Sequence, residues 1–306
     1  MNRGLNRFAI LVACATFFLI IAGALVTSHD AGLATADWPL SNGQVFPRMV
    51  GNLFWEHGHR MVATSVGILT IVLALYLFFK EKRRWVRRLG GLVLVGVVAQ
   101  GLLGGLTVKL LLPLWVSSAH ATLAQLFFCT TVSLAVFTSR SWIEAQSIEE
   151  KDGPPLRYIC TVALIAIFVQ LILGATLRHS ATWDKFLPVD LVLAHVTGAF
   201  IVTLTLGAAA ISVLRRHKGQ TFLTRPAAIA LSLLGLQLIL GLASYLVRQS
   251  SPNDPQPLNP MVGVTVAHVA CGALVFATTI VLTLRVYKVL PASQSAVPLT
   301  ARPQES

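Results

Sequence analysis

Residues 8–28 read FAILVACATFFLIIAGALVTS, an apolar stretch without one ionisable acid or base. A helix needs roughly 20 mainly apolar residues to cross the hydrocarbon core of a bilayer, and this stretch meets that length. Seven more stretches of the same kind follow, at about 59–79, 89–109, 115–138, 156–177, 190–214, 227–247 and 261–287. The first follows Arg3 and Arg7 as a secretion signal would. Its apolar run is longer than a signal core and further spans follow, so it is expected to be retained. The expected fold class is an all-α integral membrane protein with eight transmembrane helices.

Composition agrees. Of 306 residues, 55% are hydrophobic and 12% charged, about half the charged share of a soluble domain. The net charge of +12 raises nucleic acid as a partner, but no recognition motif accompanies it, and none is expected. The basic residues follow topology instead. With the N-terminus inside, all but six of the 24 Lys and Arg fall on the cytoplasmic side, the six being Arg48, Arg60, Lys109, Arg178, Lys185 and Arg248. That bias predicts a multi-pass protein of the cell (inner) membrane, both termini cytoplasmic, surrounded by membrane lipid.

The chain also repeats. Gln100–Gly104, Gln170–Gly174 and Gln237–Gly241 share a Gln-x-x-x-Gly pattern, and the span after each contains one histidine: His120, His195 and His268. Gly23 before His59 fits more loosely. The repeat predicts two tandem pseudo-symmetric four-helix bundles, residues 1–150 and 151–290, followed by a disordered cytoplasmic tail at 291–306. For the glutamines and glycines, helix packing is the more economical reading.

Ionisable residues inside a span mark function by default. His59, His120, His195 and His268 all fall on spans running from outside to inside, at similar depth near the outer ends. Zinc would usually take three or four ligands at tighter spacing. Haem iron needs two axial ligands within apolar walls. The repeat therefore points to one haem site per half, His59 with His120 and His195 with His268. Arg60, Lys109, Arg178 and Arg248 are candidates for the propionates, with interfacial anchoring an equal alternative.

The halves differ at Trp55-Glu56-His57-Gly58-His59-Arg60. If the helix reaches back to Glu56, that carboxylate and His59 share a face, and no carboxylate precedes the other three histidines at this spacing. Proton chemistry beside one site follows, with a plain Glu56–Arg60 ion pair as the alternative. His57 is expected to point away, and His29, His179 and His217 to be solvated. The segment 27–47 is long for a connector and is a candidate lid, or else an interfacial loop anchored by Trp38.

With these residues in view, the chain resembles the haem A synthases over nearly its whole length, above all at Glu56-x-x-His59-Arg60, Gly32–Gly43 and the three later histidines. The resemblance implies an oxidoreductase that converts a methyl group of haem O to the formyl group of haem A by successive hydroxylations. It implies Glu56 as catalytic carboxylate, His59 and His120 flanking the substrate haem, and His195 and His268 holding a permanent haem b. The implied partners are a haem O synthase as donor and the assembly of haem-A-containing terminal oxidases, with a homo-oligomer left open. A di-haem electron-transfer cytochrome b and a haem transporter or chaperone are the alternatives. Many family members carry a cysteine pair where this chain has Thr35 and Ser41. The four cysteines here (Cys14, Cys129, Cys160, Cys271) fall in apolar spans and read as buried small hydrophobes.

Overall fold

In an apolar medium every backbone polar group must be satisfied within its own segment, and helices do so. The computed structural model, which describes residues 2–151, 153–180, 187–250 and 258–290, follows that rule. The helices are α1 (Arg3–Ser28), α2 (Asn52–Lys80), α3 (Arg84–Lys109), α4 (Leu114–Phe137), a single turn α5 (Arg140–Ile143), α6 (Leu156–Ser180), α7 (Val189–Arg216), α8 (Thr221–Ser250) and α9 (Asn259–Val289). All except α5 are long and apolar enough to cross a membrane, so the chain is a multi-pass membrane protein. The tail 291–306 and Lys185 lie outside the described residues.

Most helices outrun their apolar cores because their ends are polar and reach the interface, where long basic side chains extend toward water. The largest consequence is at α2, which begins at Asn52 rather than at His59, with Gly51 at positive φ just before it. Glu56 and His59 therefore stand one turn apart on regular helix. Pro113 and Pro188 cap α4 and α7, and Pro260 lies in the first turn of α9, where a missing N–H costs nothing.

Neighbour relations fall into two rings. The sequence neighbours α1–α2, α2–α3 and α3–α4 pack together and α4 returns to α1; α6 to α9 do the same, with α9 returning to α6. The rings meet where α1 and α4 touch α9 and α4 touches α6.

Packing density varies along the bundle axis. Enclosed apolar side chains gather at the end where the basic loops lie. Leu5, Val12, Leu73, Leu77 and Val86 form this core in the first ring, and Leu156, Leu206, Leu223, Leu282 and Val286 belong to that of the second. At the opposite end, over 168–180, 189–201, 235–250 and 259–270, Val262 is the one fully enclosed side chain. His195 and His268 belong to this looser end, whereas Val108, Val116, Glu56 and His57 are buried at the same end of the first ring. Of the cysteines, Cys129, Cys160 and Cys271 are buried, whereas Cys14 is exposed on the outer face of α1 rather than buried as expected.

Candidate functional site

Each of the four histidines lies against a glycine of the helix before it. A Cβ added to Gly23 would stand 3.1 Å from His59 Cε1, and one on Gly104 3.1 Å from His120 Cε1. On Gly174 it would be 2.9 Å from His195 Cε1, and on Gly241 3.0 Å from His268 Cε1. The same cradle thus occurs four times, including the α1–α2 pair whose repeat is weakest in sequence. Gly174→Ala is expected to push His195 off its position and lower haem retention severalfold, read as haem per protein after purification. Unchanged retention would show the contact to be slack.

The rings face one another in pairs. His195 and His268 have centroids 6.4 Å apart with planes inclined by 74°. A metal held about 2 Å from one nitrogen of each imidazole would set ring centres about 6 Å apart, so this pair fits an iron between them. His59 and His120 are close enough for their charges to interact. His59 Nδ1, His120 Nδ1 and His268 Nδ1 are buried without a hydrogen-bond partner. Paired imidazoles in glycine cradles within an apolar bundle are what a bis-histidine haem requires.

Above the first ring, the segment between α1 and α2 folds down as a cap. Glu56, 4% exposed, accepts from the Thr35 backbone N–H (3.0 Å) through Oε2 and pairs through Oε1 with Arg60. Arg60 Nη1 donates to the carbonyls of Asp37 (3.0 Å) and Leu40 (2.7 Å) and to Ser41 Oγ (3.1 Å). Lys109 Nζ reaches Ala36 O at 3.4 Å. The Trp38 indole lies flat on α3 where Gly105 leaves room, since a Cβ there would come within 2.8 Å of the ring. Asp37 accepts from the N–H groups of Gly43 and Asn42, which hold its carboxyl far below the usual carboxylate range. Its stabilising charge is present above about pH 4 and is lost only as pH falls well below that.

One expectation about the histidines needs correction, that of solvation, and His57, expected to point away from His59, has a role of its own. His57 is buried and pins the cap, with Nε2 donating to Val45 O (3.0 Å) and Nδ1 accepting from Ser41 Oγ (2.8 Å). The carbonyl can only accept, which fixes that tautomer. Of the histidines expected to be solvated, His217 is buried and His29 stacks on Trp55 at 3.9 Å. His179 lies within electrostatic range of Arg178 and of His120 in the other ring. These contacts join groups far apart in sequence, and a local helical pattern carries no sign of them. The short polar side chains of 35–44 opposite a Glu-His pair are the one available hint.

The outer cations divide. Arg60 and Lys109 hold the cap. Arg178 donates to Ser28 Oγ (3.0 Å) and lies within electrostatic range of Arg248 and Asp30.

A family model described as "Cytochrome oxidase assembly protein" matches residues 48–183, which include Glu56, His59 and His120. The chain is 25% identical over 261 residues to a heme A synthase of Bacillus licheniformis, covering 79% of this chain and 86% of that protein. With a heme A synthase of Geobacillus kaustophilus the identity is 26% over 261 residues, covering 79% and 82%. A heme A synthase of a Caulobacter species reaches 32% over a shorter 133 residues, 40% of this chain and 39% of that one.

Proposed function

We propose that this chain, which belongs to the haem A synthase family, oxidises a methyl group of haem O to the formyl group of haem A. The observation carrying the proposal is the fourfold histidine–glycine cradle with, among the described residues, a buried carboxylate beside only one of its two pairs. In this reading residues 1–150 form the catalytic half and residues 151–290 a half that retains its haem. His59 and His120 flank the substrate, and His195 and His268 hold haem b. Bound there, haem b supplies one-electron transfer.

Each hydroxylation replaces a C–H bond of the methyl carbon by C–OH with oxygen from water, two protons being released and two electrons passing to an external one-electron acceptor, and the second leaves a geminal diol that loses water to the aldehyde. The chain's own residues supply position and proton handling. The histidine pair fixes the macrocycle between α2 and α4, and the cap of residues 29–51 shields its outer edge from water. Glu56 is one turn from His59, and its Oε2 is free to take a proton once Thr35 N–H lets go. Arg60 pairs with the resting carboxylate and ties its release to movement of the cap. Arg178 and Arg248 suit propionates at the outer ends of α6 and α8; Arg60 and Lys109 suit those of the substrate.

A cytochrome that only conducts electrons across a bilayer would place ligands near both faces. Here each histidine is within about three helical turns of the same end of its helix. A transporter would have no use for the buried carboxylate one turn from His59. The basic loops support a cytoplasmic location of both termini, in the cell membrane. A haem O synthase as donor and a terminal oxidase under assembly as recipient follow from the substrate and product.

Co-expression with a haem O synthase in a host lacking haem A provides the test. Extracted haems separated by chromatography and identified by mass are expected to include haem A or its hydroxylated intermediate. Haem O alone, with the protein present in the membrane, would overturn the proposal.

A further inference from the structure

The cap between α1 and α2 has two unlike edges. Its inner edge is polar: the Thr35 N–H, the Asp37, Leu40 and Val45 carbonyls and Ser41 Oγ bond to Glu56, His57 and Arg60 of α2. Its outer edge is apolar. Phe46 is 78% exposed, Val45 62% and Val50 57%, with the exposed Arg48 between Phe46 and Val50. Trp38, the anchor expected from sequence, turns instead to α3, where its indole fills the space at Gly105. Single exposed apolar residues are ordinary on any protein surface, but three within six residues make a patch.

The patch continues the lipid-facing side of α2. Phe54, Met61, Ile68 and Leu75 recur every seven residues, so they share one face of the helix, and each is exposed. Phe54 stands in the first turn of α2, and Val50 lies two residues before that helix begins.

Its height in the bilayer follows from His57. The Val45 carbonyl accepts from His57 Nε2 at 3.0 Å, so Val45 lies level with the second turn of α2. His57 precedes His59, where the apolar span begins, by two residues, which is about 3 Å of helix. The headgroup layer adds about 5–7 Å beyond each face of the hydrocarbon core. Val45 and Phe46 therefore fall within that layer rather than in open water, close above the acyl chains.

We propose that the cap is a lid seated in the membrane: Val45, Phe46 and Val50 dip into the acyl chains of the leaflet opposite the basic loops, Arg48 meets the lipid phosphates, and the polar edge closes over Glu56. Apolar side chains at a bilayer surface insert in this way, and a basic residue beside them keeps its stem in the apolar zone while its cation reaches phosphate. A docked protein would also cover the patch, but lipid already covers the face of α2 directly below it. With its outer edge held in lipid, the lid parts along its polar edge when the site opens. The placement is independent of the haem reading and is tested without it.

Nitroxide labels measure the depth, because oxygen concentrates in lipid and a water-soluble nickel chelate stays in water. The labelled variants are Phe46→Cys and Val50→Cys in a full-length Cys14→Ser background, the other three cysteines being buried. Met61→Cys on the exposed face of α2 and Lys82→Cys in an exposed basic loop serve as the lipid and water references. Each protein is placed in nanodiscs of phosphatidylethanolamine and phosphatidylglycerol and read by power-saturation electron paramagnetic resonance. Labels at 46 and 50 are expected to be relaxed severalfold more by oxygen than by nickel, as at 61 and opposite to 82. Nickel exceeding oxygen at 46 or at 50 would overturn the proposal by placing the patch in water. Access of neither relaxant at those two positions would overturn it too, in favour of contact with a second copy of the chain.

Discussion

Glu56→Gln is expected to retain haem and to lose conversion of haem O by about two to four orders of magnitude, the usual worth of a positioned acid or base. The substitution is nearly isosteric. The glutamine oxygen still accepts from Thr35 N–H or from Arg60, so the cap stays in place and the His59 cradle is undisturbed. What disappears is the ability to take a proton. Haem spectra of the purified variant report binding, and chromatography of extracted haems reports conversion. Conversion equal to that of the parent would remove Glu56 from the mechanism and leave it as a tether for the cap. A loss of bound haem together with activity would instead assign it to binding.

The second large effect is expected at the resident site. His195→Ala or His268→Ala removes one of two axial ligands where the rings stand 6.4 Å apart, so the variant is expected to lose about half of its haem and all measurable conversion. His59→Ala and His120→Ala differ in kind, leaving the second half loaded while the first no longer holds substrate. Haem per protein, with the low-spin spectrum of the remaining haem, separates the two classes. Alanine variants of all four positions that kept the parent spectrum would refute the ligand assignment.

The eight helices were legible because a bilayer makes length and apolarity nearly sufficient for a span. The candidate ligands were legible because few polar groups interrupt those spans, and four of them recur in step. Helix ends were less so: α2 begins seven residues before its apolar core, and those roughly two turns bring Glu56 into line with His59. The weak first repeat, Gly23 against His59, becomes equivalent to the others only in three dimensions. The cap was visible as excess length, but its attachment was not. Ser41 meets His57 and Arg60 across sequence separations of 16 and 19, and His57 in particular looks inert on a helical wheel. Glutamine in the repeat read more economically as packing, since a sequence does not show that Gln170 and Gln237 reach the histidines of the next helix.

The uneven packing along the bundle bears on how such a protein is made. Because Leu5, Leu73, Leu206, Leu282 and their neighbours close the basic end without help, the helices can be threaded into the bilayer and gathered into their rings before any prosthetic group arrives. Maturation then becomes a late filling of the histidine end. A shortage of haem in the cell would leave behind intact, insertable polypeptide rather than debris for proteases.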